Sequence, residues 1–172
     1  MAMRVIITGC NGYVGKTVSK YYYTLGYNVV GFDLINSKNS YITNFYQTSY
    51  ASSIAEDIIL ESDADTLIHC AVEKSNTLQQ HFYHNSIQFI NLLSVLKNTS
   101  IKEIIVFRNK SAENNDAFLK LSNNTNKDYL EEFSKSTGIN SKIYNLLDKN
   151  NEQHIIELVQ PYLELSKHFY IF

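Results

Sequence analysis

The sequence predicts an α/β fold, a doubly wound parallel sheet in a single domain, on three observations. Short apolar runs alternate along the chain with longer stretches of helical period. Several of those runs are apolar on both faces, as strands covered by helices on either side must be. The length of 172 residues is that of one domain, and with six glycines and one proline there is no Gly/Ser- or Pro-rich hinge. Residues 1–172 are therefore read as one unit, too short to add a second, substrate-binding domain.

The elements follow in order. Strand candidates are residues 4–8, 28–32, 66–70, 104–107 and 142–144, each rich in Val, Ile, Leu, Phe or Tyr. Val14, Val18 and Leu25 mark a first helix that stops at Gly26. The run Tyr21-Tyr22-Tyr23 inside it spans roughly 200° of helix surface, so at least one ring must face away from the sheet. Residues 41–50 are aromatic enough for a strand but lack clear alternation. Further helices are marked by Ile87, Ile90, Leu93 and Leu96, by Leu130 and Phe133 ahead of Gly138, and by Ile155, Leu158, Val159 and Tyr162, the last kinked or broken near Pro161. Of 19 asparagines, several cluster at 114–126 in what reads as a loop.

Composition narrows the function classes. A hydrophobic fraction of 44% with 19% charged residues is globular, and a net charge of -2 offers no basic excess for nucleic acid or anionic lipid. Arg4 and Arg108 are the only arginines, too few for several guanidinium clamps on a diphosphate. The two cysteines, Cys10 and Cys70, make neither a disulfide framework nor a zinc spacing, so no metal is expected and a reducing cytoplasm is the simplest compartment. No run approaches the roughly 18 apolar residues of a membrane span.

The chemistry-bearing signal is Thr8-Gly9-Cys10-Asn11-Gly12-Tyr13-Val14-Gly15, placed between the first strand and the first helix. Gly9 permits the tight turn, Gly12 lets backbone N–H groups approach a pyrophosphate, and Gly15 lets helix and strand pack closely. The helix N-terminus supplies donors and partial positive charge, so no arginine is needed there. Asp33, 18 positions after Gly15 at the end of the second strand, can accept hydrogen bonds from both ribose hydroxyls and repels a 2′-phosphate. Turn, helix and acid together predict a Rossmann-like dinucleotide site that prefers NAD to NADP.

With these residues the chain resembles the extended short-chain dehydrogenase/reductase family, most nearly the UDP-glucose 4-epimerase type of sugar-nucleotide epimerase and dehydratase, from residue 4 to about residue 147. Asp33-Leu34-Ile35-Asn36-Ser37-Lys38 is similar to that family's acid followed by an Asn-Ser pair near the adenosine ribose. Asp65-Thr66-Leu67-Ile68-His69-Cys70-Ala71 resembles its fourth strand, whose end borders the cofactor; His69 itself reads as structural. Lys74 falls where many epimerases carry a lysine beside the cofactor, and Asn85 with Asn91-Leu92-Leu93 resembles the following helix. The resemblance thus implies an NAD site of Gly9, Asn11, Gly12, Tyr13, Val14, Gly15, Asp33, Asn36, Ser37, Cys70, Ala71, Lys74 and Asn85.

The catalytic half of the resemblance departs from the family. Family catalysis uses a Tyr-x-x-x-Lys pair and a Ser or Thr at the end of the fifth strand. Here Lys127 falls on the lysine, but the tyrosine position is Asn123, and an amide has no ionisable proton near neutral pH. The strand end reads Val106-Phe107-Arg108-Asn109-Lys110-Ser111, with Ser111 a shifted remnant of the hydroxyl and Arg108 and Lys110 read as solvated charges. The acid expected after the third strand is replaced around Gln47-Thr48. The expected partners are a dinucleotide, a nucleotide sugar, and a second copy through the helices at 76–98 and 120–137 or another subunit. Two alternatives stand beside an active enzyme: a non-catalytic dinucleotide-binding regulatory or assembly subunit, and a protein-interaction scaffold.

Overall fold

The computed structural model describes residues 3–36, 39–73, 77–110, 113, 116–147 and 151–160. Its elements are β1 (Arg4–Thr8), α1 (Tyr13–Thr24), β2 (Asn28–Asp33), β3 (Asn44–Gln47), α2 (Ser53–Glu61) and β4 (Thr66–His69). They are followed by α3 (Leu78–Phe82), a π-helical turn (Tyr83–Ile87), α4 (Gln88–Leu96), β5 (Glu103–Asn109), α5 (Ala117–Thr137), β6 (Asn140–Leu146) and α6 (Glu152–Val159). The six strands form one sheet in the order β3-β2-β1-β4-β5-β6, every pair parallel. This is the doubly wound arrangement that the strand-helix alternation predicts.

Strand alternation divides the core between the two faces. Ile6, Val30, Phe32, Leu67, Ile104 and Val106 pack under α2, α4 and α5, against Ile59, Phe89, Leu93, Leu130 and Phe133. Their neighbours Val5, Ile7, Val29, Ile68, Ile105 and Phe107 face α1 and α6, against Val18, Tyr22, Ile155 and Val159. Tyr22 takes the sheet side of the tyrosine run and is buried, whereas Tyr23 is exposed, as the arc of three successive rings requires.

Two sequence readings change, and one helix went unread. Residues 41–50 contain an edge strand, β3, whose half-exposed side chains show no clean alternation. Helix α2 carries exposed Ile54 and Leu60 beside buried Ala55 and Ile59, so apolar residues on both sides hide its period. The asparagine cluster at 117–126 is helix rather than loop: Asp116 caps α5 by accepting from the amides of Phe118 and Leu119, and the helix runs to Gly138, which ends it at φ +77°.

Candidate functional site

Strand order reverses between β1 and β4, and the carboxyl ends of β1, β2 and β4 border a cleft of about 450 Å³. Open α/β sheets bind ligands at such a reversal. The glycine turn forms its floor; Asp33 to Ile35 and Thr48 to Tyr50 form one wall, and Cys70 to Glu73 with His84, Asn85 and Gln88 the other.

Two of the turn's glycines are fixed by space and one by access. Gly9 has φ +66°, and a Cβ there would lie 2.7 Å from the Ala71 backbone, so the turn presses on the loop after β4. A Cβ on Gly15 would lie 2.2 Å from the Gly9 carbonyl oxygen, which sets the close approach of α1 to β1. At Gly12 a Cβ would meet only that same oxygen, at 3.4 Å, so this glycine keeps the floor of the cleft low. Helices α2, α3, α5 and α6 begin with a side-chain cap from Ser52, Thr77, Asp116 and Asn151; α1 begins at Gly12 with none. Its first-turn N–H groups are left for a phosphate or solvent.

Asp33 closes the far end. Its Oδ2 accepts the Asn11 amide at 2.8 Å and its Oδ1 accepts the Ile35 amide at 3.0 Å, tying the glycine turn to the end of β2. An ionised carboxylate offers about four lone-pair positions, so acceptor capacity remains for a ribose. Asn11 also donates through Nδ2 to the Ile35 carbonyl at 2.5 Å. The glycines, Asp33 and the uncapped α1 therefore fit a dinucleotide's ribose and diphosphate.

Asn85 acts through the loop it grips. Its Oδ1 accepts the Glu73 amide at 2.8 Å and its Nδ2 donates to the Glu73 carbonyl at 2.7 Å, holding residues 71–73 against the turn. Cys70 and Ala71 line the cleft as the resemblance implies, and burial pushes the Cys70 thiol well above the usual range. Lys16, Tyr50, Glu73 and His84 also line it and were not read from sequence. Their signal was positional only: one helical turn after Gly12, just past β4, and beside Asn85.

Other predicted residues lie elsewhere. Tyr13 and Val14 line a second cavity, of about 220 Å³, with Phe107 and Leu146. Asn36 is exposed and outside the cleft lining. Lys127 is half-exposed on α5 with Nζ 3.6 Å from Glu131, outside the residues that line either cavity. Ser37, Lys74, Ser111 and Pro161 lie outside the described residues.

Arg108 is a correction, because it is not a solvated strand-end charge. It is only 7% exposed, and its guanidinium donates to the Asn123 carbonyl of α5. Burial pulls its pKa down while the carboxylates of Glu113, Asp128 and Glu131 act in the opposite sense. Asn123 in turn donates through Nδ2 to Glu113 Oε1 at 2.7 Å. The position that resembles the family's tyrosine is thus a neutral amide locked into a polar cluster. Among the described residues no group of His, Cys, Asp and Glu gathers as a metal site, and no helix is long and apolar enough to cross a membrane.

The cleft can be compared with known proteins. UDP-glucose 4-epimerase from Thermotoga maritima, solved with UDP-glucose, superimposes with a TM-score of 0.73 at 20% identity, covering 82% of this chain and 54% of that one. UDP-glucuronic acid 4-epimerase from Bacillus cereus, solved with NAD, gives 0.71 at 15% identity over 84% of this chain and 57% of that one. An enzyme of Bordetella bronchiseptica in complex with NAD+ gives 0.71 at 16% identity over 96% and 64%. These likenesses establish the fold, and the chain spans only about half to two-thirds of the length of those structures. No curated protein sequence matches it. The NAD dependent epimerase/dehydratase family model matches residues 5–136, which run from β1 through the glycine turn, Asp33 and the Asn85 clasp into α5. Over that greater part of its length the chain belongs to the NAD-dependent epimerase/dehydratase family.

Proposed function

We propose that this chain binds NAD in the cleft between β1, β2 and β4 and does not by itself carry the proton transfer of a sugar-nucleotide epimerase. Asp33 carries the reading. It stands at the carboxyl end of β2 in the cleft with both oxygens already oriented by backbone amides, where ribose hydroxyls are its natural donors and a 2′-phosphate is repelled. When bound, the dinucleotide would supply hydride chemistry; the residues described here hold and orient it.

The second half of the reading rests on Asn123. Proton transfer to or from a sugar oxygen needs an ionisable group, and the amide is instead hydrogen-bonded to Glu113. The chain therefore works as a dinucleotide-binding subunit, in the cytoplasm, with any nucleotide sugar turned over only in company with another chain. Lys127, the remnant of the Tyr-x-x-x-Lys pair, and Ser111 belong to the epimerase alternative.

Calorimetric titration with NAD and NADP tests this. NAD should bind more tightly than NADP, Asp33→Ala should weaken NAD at least about tenfold, which is ~1.4 kcal/mol, and Gly12→Val should abolish binding. Absence of NAD binding at millimolar ligand sinks the proposal. Epimerisation of UDP-glucose or UDP-galactose by the chain alone would overturn the reading of Asn123.

A further inference from the structure

We propose that Glu73 and His84 make dinucleotide binding proton-linked: protonated His84 masks a carboxylate that otherwise repels the diphosphate. This rests on the dinucleotide reading above and adds its regulation by pH.

The geometry begins with the loop after β4. The Ala71 backbone is pressed against Gly9, whose turn is the floor on which a diphosphate would sit. Glu73 follows two residues later, at most about 7 Å of extended chain beyond Ala71, and its side chain lines the same cleft. Asn85 grips both the amide and the carbonyl of Glu73, so the carboxylate cannot leave by movement of its backbone. Charges that share one cleft act on one another over about a Debye length, about 8 Å at physiological salt.

His84 faces it from the other element. The π-helical turn Tyr83–Ile87 carries it into the cleft, with Nδ1 3.2 Å from Glu73 Oε2 and both side chains partly open to solvent. Single π turns recur at functional sites because the extra residue re-aims side chains. Tyr50 holds the histidine from a third side by donating to its carbonyl at 3.0 Å.

Among the described residues that line the cleft, the charges leave the decision to the pair. Burial, and next the Glu73 carboxylate, push the Tyr50 phenol far up, so it stays neutral. The Tyr83 ring meets His84 edge-on at 5.3 Å, and His81, one turn earlier, bonds Asn85 rather than Glu73. Asp33 and Lys16, of opposite formal charge, also line the cleft. With His84 cationic, Glu73 and His84 are together neutral and the phosphates meet no net repulsion. With His84 neutral, Glu73 stands as a bare negative charge. Histidine is the side chain that changes charge between about pH 5 and 8. Linkage then requires NAD to draw a proton onto the protein as it binds.

Titrating the full chain with NAD from about pH 5.5 to about pH 8.5 at fixed salt, in two buffers of different ionisation enthalpy, tests this. Kd should rise roughly three- to tenfold across the range, with proton uptake on binding. Glu73→Gln should bind more tightly than wild type across the range, because the repelling carboxylate is gone while His84 still changes charge. His84→Asn should bind weakly throughout, because Glu73 is then never masked. His84→Asn should also lose the pH dependence, and at low pH the two variants should move in opposite directions from wild type, Glu73→Gln tighter and His84→Asn weaker, which a common packing defect cannot produce. A flat wild-type profile with measurable binding, a His84→Asn variant that keeps the slope, or a Glu73→Gln variant that binds no tighter than wild type overturns the proposal and leaves NAD binding standing. If wild type binds no NAD at any pH, the dinucleotide reading fails and this inference with it.

Discussion

His69 ends β4 with its ring enclosed between Tyr50, whose ring centroid is 5.0 Å away, and Phe89, at 4.7 Å. Its Nδ1 and the Thr8 hydroxyl share a hydrogen bond of 2.8 Å across the β1–β4 pair. Burial holds the imidazole neutral, with its pKa lowered to about 3. The unfolded chain therefore binds a proton that the folded chain does not, from the ordinary histidine pKa of about 6.5 down to the folded value. Stability from this residue is fully present above about pH 6.5 and is lost as pH falls toward 3. At pH 5 the loss is about 2 kcal/mol. Urea midpoints at neutral pH and at about pH 5 check this: His69→Gln should lower stability at neutral pH yet show a shallower acid decline than wild type. An unchanged slope would mean the ring is not the group responsible.

At the scale of elements, the glycine turn joins β1 to α1 with no space to spare. Gly15 sits on the underside of α1, where a Cβ would lie 2.2 Å from the Gly9 oxygen and 2.7 Å from Cys10 Cα. Both are backbone atoms, so neither can swing aside. Gly15→Ala should force the helix off the strand and cost upward of about 3 kcal/mol. Gly26 is the control: it ends α1 at φ +84° with nothing within 4 Å of an added Cβ, so Gly26→Ala pays only for its left-handed backbone, about 1 kcal/mol. Denaturation midpoints that fall equally for the two would show that helix-strand contact does not matter here. The same elements explain what could be read in the sequence. Gly9 and Gly15 were legible because backbone geometry dictates both residue type and spacing, and Asp33 because it closes the second strand. Helix α5 was legible only in its second half, since Ser122, Asn123 and Asn126 take core-facing positions beside Leu119, Leu130 and Phe133. An apolar pattern does not reveal a helix whose buried face is partly polar. Arg108 was misread for a related reason, because β5 runs on to Asn109 and α5 lies over it.

For the whole molecule, the doubly wound parallel sheet followed from strand-helix alternation, while the strand at its edge and the walls of the cleft did not. Tyr50, Glu73 and His84 come from three separate connections and meet only through the packing of α2, the β4 loop and the π turn. No spacing rule links them.

That convergence makes the fold and the cleft one thermodynamic unit. A ligand that binds only the folded chain stabilises it by mass action, about 2.7 kcal/mol at a hundred times Kd. For a chain of this size that is a rise in Tm of roughly 5–10 °C. Gly12→Val separates binding from folding: a Cβ at Gly12 meets one atom, at 3.4 Å, and the residue's φ of -68° suits any side chain, so basal Tm should stay near that of wild type. Its branched side chain would stand on the floor of the cleft, where the proposed dinucleotide would place its diphosphate. NAD should therefore raise the Tm of wild type and leave Gly12→Val unmoved in thermal melts at matched ligand. An equal rise in both would place the dinucleotide away from Gly12 and so outside the cleft that Gly12 lines.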